Sequence, residues 1–212
     1  MTRSRALMVA LVLVAGCAVA SAQEGPGAGK MEVGGFPGGG LWLVSGDDNT
    51  EVNFNNYGYG GGASFYVNPR VAIEVEAAYG LGLAQGVNYH NKEVFHVQVP
   101  NTLGTSGNVV IFPGGSARQV AGYVTGGAGM FTLFSRNSTK QFGITSAESF
   151  ASFNVGGGVK IFRGGDARNW GYRIDYRAVI VNKKSGAVPF FAQSKQRMGH
   201  RIYIGLLYTM KR

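Results

Sequence analysis

The side chains best suited to chemistry are few: His90, His96 and His200, the single Cys17, and the acidic run Asp47-Asp48-Asn49-Thr50-Glu51. His90 and His96 lie in a polar stretch beside Lys92 and Glu93, and their spacing is not that of a helical zinc pair. His200 could act as a general base, but no serine follows it at strand spacing to complete a Ser-His-acid relay. The 47–51 run offers several oxygens for a calcium ion, although a polar loop tip is the better account of it. Gly58-Tyr59-Gly60-Gly61-Gly62-Ala63 matches a Gly-x-Gly-x-x-Ala phosphate cradle, yet no amphipathic helix follows it, so it reads as strand. No catalytic, cofactor-binding or metal site is expected, and the protein is not expected to be an enzyme.

A second set of charged residues suits a different chemistry, that of ion pairs closed off from water. Glu74, Glu76, Lys160, Arg173, Asp175 and Arg177 each sit between apolar or aromatic neighbours in segments that alternate residue by residue, and Arg201 precedes Ile202 at the start of another. From Val71 to Tyr79, Val71, Ile73, Val75, Ala77 and Tyr79 share one face, while Glu74 and Glu76 share the other. The same period of two runs through Phe153–Ile161, Tyr172–Arg177 and Ile202–Met210. A period of two marks strands whose sides face different surroundings.

The elements that must hold these residues lie behind an export signal. Arg3 and Arg5 precede an apolar run from Ala6 to Ala22, too short for a spanning helix and ending in Ala20-Ser21-Ala22. Residues 1–22 are therefore expected to be a signal peptide cleaved after Ala22. The stretch Val14-Ala15-Gly16-Cys17 leaves acylation of Cys17 as the alternative. Cleavage after Ala22 would remove the only cysteine, leaving a chain stabilised without disulfides. Residues 23–30 read as a flexible Gly/Pro-rich segment, and 31–212 as one domain. Loss of Arg3 and Arg5 takes 20 basic residues to 18 against 11 acidic, a formal charge of +7. Much of that excess falls on expected loops and turns, including Arg118, Arg136, Lys140, Arg163, Lys183, Lys184, Lys195 and Arg197. Scattered cations on an exported chain disfavour nucleic acid as a partner and suit anionic lipid headgroups.

From residue 23 onward no run of 18 or more apolar residues occurs, so spanning helices are excluded. Mean hydropathy near zero beside 45% hydrophobic residues is what strands produce when apolar positions alternate with Gly or polar ones. Eight strands are expected near 31–44, 57–67, 71–82, 104–112, 119–133, 150–162, 170–181 and 199–210. Short links at 68–70, 113–118 and 163–169 alternate with long polar loops at 45–56, 83–103, 135–149 and 182–198. That asymmetry belongs to outer-membrane barrels. Three features favour charges inside and hydrocarbon outside. The charged face carries both signs. Phe65, Phe112, Trp170 and Tyr208 lie near strand ends as an interfacial girdle would. Tyr57, Tyr59, Tyr172 and Tyr176 populate the apolar face, where a tight soluble core would have to hydrogen-bond them.

The export signal, the Val67-Asn68-Pro69-Arg70 hairpin and the stretch Arg173-Ile174-Asp175-Tyr176-Arg177 resemble small OmpA-like outer-membrane barrels. The last strand also resembles the assembly signal read by the barrel-insertion machinery, with Tyr203, Gly205, Tyr208 and Met210 as its spaced residues. Such strands usually finish on an aromatic, whereas this chain adds Lys211 and Arg212. The resemblance implies an all-β, eight-stranded antiparallel up-and-down transmembrane barrel in a Gram-negative-type outer membrane. Its partners would be outer-membrane lipids, the assembly machinery and an unknown loop ligand, and it would be a monomer. The expected role is structural or surface-interacting, with the lumen plugged by polar and charged side chains. Two alternatives stay open: a soluble lipocalin-like carrier, for which Gly40-Leu41-Trp42 is a partial match, and a barrel-scaffolded lipid-modifying enzyme akin to lipid A deacylases.

Overall fold

Alternation of residue type becomes alternation of side-chain direction in the computed structural model. It describes residues 26–44, 53–89, 93–142, 145–163, 169–187, 191 and 195–210. The expected signal peptide with Cys17 and Ala22, the acidic run 47–51, His90, Lys211 and Arg212 lie outside the described residues. Among the described residues ten strands form: β1 (Met31–Val44), β2 (Phe54–Asn68), β3 (Val71–Gly82), β4 (Ala84–Tyr89), β5 (Glu93–Gln98), β6 (Asn101–Ile111), β7 (Val120–Phe134), β8 (Glu148–Phe162), β9 (Trp170–Val181) and β10 (Arg197–Thr209). Eight of them close into an antiparallel barrel in the order β1-β10-β9-β8-β7-β6-β3-β2. Closure is made by β1 and β10, from Glu32 opposite Thr209 to Trp42 opposite His200. A closed ring leaves no unpaired edge, which a sheet in hydrocarbon cannot tolerate.

Direction follows the expected arrangement, charges inside and apolar side chains outside. Val75 is 61% exposed and Ile204 60%, while Glu74 and Arg177 between such neighbours are almost fully enclosed. The connections at 69–70 and 112–119, together with Arg163 and Asn169, gather at one end with the start of β1 and the finish of β10, here the turn end. The Asn68 side chain accepts a bond from the Arg70 amide (2.7 Å), fixing the tightest turn. Gly115 takes a φ of 83° in the next turn, a conformation that L side chains rarely adopt. Pro26–Lys30 lies across this end, the Pro26 carbonyl accepting from Ser116 Oγ (2.7 Å).

The structure departs from the sequence reading in several places. The stretch expected as a long loop at 83–103 contains the hairpin β4–β5, paired from Ala84–Gln98 to Tyr89–Glu93. A short 3-10 helix, Asn137–Phe142, occupies the third long loop. Several strands start two or three residues before their expected bounds, as at Phe54, Asn101, Glu148 and Arg197. Arg197 was expected in a loop; it opens β10 and is fully buried. Phe112, expected in a girdle, is buried inside, because Val109 and Ile111 take the outward parity in β6.

A bulge in β1 has wider consequences. Register shifts against β10 between Gly35 and Gly38, and against β2 between Phe36 and Gly39. Pro37, which has no N–H to give to a ladder, sits on the outer side of this bulge. The extra residue flips the parity of the strand, so that Glu32 and Phe36 face in before it and Leu41 and Leu43 face in after it.

Candidate functional site: the lumen ion network

Strands β3 and β9 stand diametrically opposite in the eight-stranded ring, and each brings charges at inward positions. Glu74 and Glu76 come from β3; Arg173, Asp175 and Arg177 come from β9; Lys160, Arg201 and Glu32 come from β8, β10 and β1. Glu74 is the hub. Its Oε2 accepts from Arg173 Nη1 (2.5 Å) and its Oε1 from Arg177 Nη2 (2.6 Å). Ser64 Oγ (3.3 Å) and Asn108 Nδ2 (3.4 Å) complete its shell. Asp175 accepts from Arg173 Nη2 (2.8 Å), Arg177 Nε (3.0 Å) and the Tyr123 hydroxyl (2.5 Å). Glu76 pairs with Arg201 and takes the Tyr203 hydroxyl at 2.8 Å. Lys160 reaches Glu32 Oε1 at 2.5 Å and the Tyr66 hydroxyl at 3.0 Å.

The structure brings all seven expected lumen residues together and adds Glu32, Tyr66, Tyr123 and Tyr203. Glu32 matters for balance. The expected set carries three acids and four bases; with Glu32 the network is four against four, formally neutral. Neutrality is needed because an unpaired ion taken out of water costs several kcal/mol. The aromatic members solvate cations as well as carboxylates. The Arg173 guanidinium lies 5.0 Å from the Tyr123 ring centre, and Arg201 lies 5.2 Å from Tyr203. Glycines make the room. A Cβ on Gly156 would run into Arg177, and one on Gly158 into the Tyr123 ring, so β8 must be bare where arginine and tyrosine cross the lumen.

Apolar layers lie on both sides of the network. At the turn end Phe112 packs on Tyr66 and Tyr123, with ring centres 5.7 and 5.8 Å apart. At the loop end Phe191 is enclosed by Phe131 and Phe150, at 5.7 and 5.4 Å, beside buried Leu43, Leu133 and Val181. Arg197 stacks over the Phe191 ring at 5.0 Å. Val87, Val97 and Val99, from the hairpin and the residues after it, join this cap. Between network and cap lies a cavity of about 40 Å³ lined in part by Thr102, Ser106, Ser152, Asn154 and Arg201. Asn154 Oδ1 and Arg201 Nε, from two residues of this mostly apolar lining, have no hydrogen-bond partner.

The other sequence candidates are dispersed. Tyr203 and Gly205 of the expected assembly signal face inward, while Tyr208 and Met210 face outward. His96 is exposed on β5. His200 lies on the outer wall with its Nδ1 2.7 Å from the Tyr176 hydroxyl. Among the described residues, no group of three or more His, Cys, Asp or Glu is placed to hold a metal ion.

The family model described as the outer membrane protein beta-barrel domain matches residues 8–209. The outer membrane protein OprG from Pseudomonas aeruginosa is similar in structure, with a TM-score of 0.58 at 12% identity, covering 90% of this chain and 100% of that one. Neisserial surface protein A gives 0.58 at 11% identity, covering 86% and 98%. The N-terminal β-barrel domain of OprF from Pseudomonas aeruginosa gives 0.50 at 14%, covering 86% and 100%. At these identities the likeness is one of fold. No curated protein matches the chain significantly.

Proposed function

The chain belongs to the outer membrane protein beta-barrel domain family, and we propose that it works there as a closed, non-catalytic barrel whose loop end is its interaction surface. The observation that carries this reading is the neutral network joining opposite walls, Glu74 of β3 held by Arg173 and Arg177 of β9. An eight-stranded barrel encloses only enough space for side chains. Here that space is crossed by hydrogen-bonded ions and lidded by Phe191 and its neighbours. An ion entering the lumen would have to displace paired charges and an apolar cap together.

A surface role is supported by order at the loop end. Gln85 of β4 exchanges two bonds with the Asn55 backbone, at 3.0 and 2.7 Å. Ser138 of the 3-10 helix donates to the Gln98 carbonyl at 2.7 Å. Loops tied to one another form a prepared surface, which lowers the ordering cost of binding a partner. The structural role is served by the same rigidity.

Proteoliposomes prepared in a polymer and diluted into a small-sugar solution test the closed lumen. Their swelling rate should match that of protein-free vesicles. Swelling at the rate of a general porin would contradict the reading.

A further inference from the structure

The β1 bulge leaves a mark on the membrane face that the closed lumen does not explain. Where Pro37 pushes out and Gly35 offers no side chain, a groove of about 660 Å³ opens, flanked by Val33, Tyr59, Leu206 and Tyr208. That size lies within the roughly 300–1,000 Å³ range of small-ligand sites. Its lining is almost wholly apolar, and it faces hydrocarbon, so its occupant must be apolar over this length. Towards the turn end it shares Trp170 and Leu206 with a second, more polar hollow of about 270 Å³ that reaches Arg163. The path therefore starts at a cation, passes an interfacial indole and ends in a smooth apolar channel. Trp170 packs at a tilt against Tyr208 with centres 5.0 Å apart, which anchors the junction at headgroup depth.

We propose that this groove is a binding site for one anionic phospholipid of the periplasmic leaflet, its phosphate at Arg163 and an acyl chain laid over the β1 bulge. Charge complementarity selects the headgroup. The described residues of the turns and of the segment before β1 include Lys30, Arg70, Arg118 and Arg163 and no carboxylate, the acids Glu32, Glu74, Glu76 and Asp175 being buried inside the barrel. A single cation near a surface raises occupancy by an anionic lipid about fivefold. Shape selects the tail. Gly35 has only the Gly60 carbonyl within 4 Å of where a Cβ would stand, so the channel floor is open and a side chain added there would fill it.

The chain holds two tryptophans, Trp42 and Trp170, so Trp42→Phe leaves Trp170 as the only indole reporter. This variant should be reconstituted in phosphatidylcholine vesicles containing an equal mole fraction of brominated phosphatidylglycerol or brominated phosphatidylcholine. Trp170 quenching should show about a fivefold preference for the brominated phosphatidylglycerol. Arg163→Gln should abolish the preference and leave ordinary quenching by both lipids. Gly35→Leu should also abolish it, with the folded band intact on unboiled gels. Equal quenching by both lipids, or a preference that survives Arg163→Gln, would overturn the site. Trp170 shielded from both lipids would overturn it too, since a second copy of the chain would then cover the groove.

Discussion

The two halves of the lumen are filled by opposite physics. Towards the turn end four carboxylates and four cations are bonded across the barrel, with Lys160 and Arg177 completely enclosed. Towards the loop end the space is filled by Phe54, Phe131, Phe150, Phe191 and aliphatic neighbours, with Arg197 stacked on the Phe191 ring. Ion pairs are directional and intolerant of a missing member, so the first half ties specific positions on β3, β8, β9 and β10 to one register. Apolar packing is indifferent to direction, so the second half can seal a mouth formed by loops of irregular path. The wall is fixed where the bonds are directional, and the lid rests where shape alone suffices.

This contrast predicts unequal responses to truncation. The largest should come from Glu74→Gln, which removes the hub carboxylate and leaves Arg173 with Asp175 and Arg177 with Asp175 and Glu76. Removing one partner of a buried pair costs about 3–5 kcal/mol. Urea unfolding in vesicles, followed by Trp fluorescence, reads it directly. Arg177→Met alone should be comparably costly, and the double variant should cost clearly less than the sum of the two. Strict additivity would show that the two residues are not coupled.

Phe191→Ala comes next. In a rigid core such a change costs roughly 3–5 kcal/mol, but at the loop end neighbouring apolar side chains and water can occupy the vacated space, so the loss should fall below that range. Its signature should be loop-end access, read as faster protease cleavage between residues 182 and 196 with the barrel still folded. A loss equal to that of Glu74→Gln would erase the distinction between the halves.

The smallest net effect should come from exchanging a whole pair. Lys160 and Glu32 bond each other and Tyr66. Lys160→Met alone strands Glu32, whereas Lys160→Met with Glu32→Leu removes both ions, a change often neutral or stabilising. If the double variant is as unstable as the single one, the pair contributes more than mutual neutralisation.

Much of the architecture was legible in the sequence because a membrane barrel repeats one rule. Parity along Val71–Tyr79 and Tyr172–Arg177 is unbroken, and it places Glu74, Glu76, Arg173, Asp175 and Arg177 on one side. The failures arise where that rule is interrupted or was not applied. Pro37 shifts the parity of β1, which leaves Glu32 hard to place from the pattern alone, though a Glu flanked by Met31 and Val33 was a usable signal. Phe112 was assigned by its nearness to a strand end; counting parity from Ile111 would have turned it inward. The run Val94-Phe95-His96-Val97-Gln98-Val99 alternates enough to announce β5, but its polar surroundings gave it the look of a loop. For the inward tyrosines parity was again the usable signal, Tyr66 lying between Phe65 and Val67 and Tyr203 between Ile202 and Ile204, whereas residue type was not, because Tyr suits both a lipid interface and a buried hydroxyl.

The claim at the centre is that directional ion pairs and an apolar cap together close the lumen. Planar-bilayer recording of the purified, heat-modifiable protein tests it most directly. The wild type should be silent or show rare, small openings across a range of voltages, and Glu74→Gln combined with Phe191→Ala should open more often. Sustained nanosiemens conductance by the wild type would contradict the account.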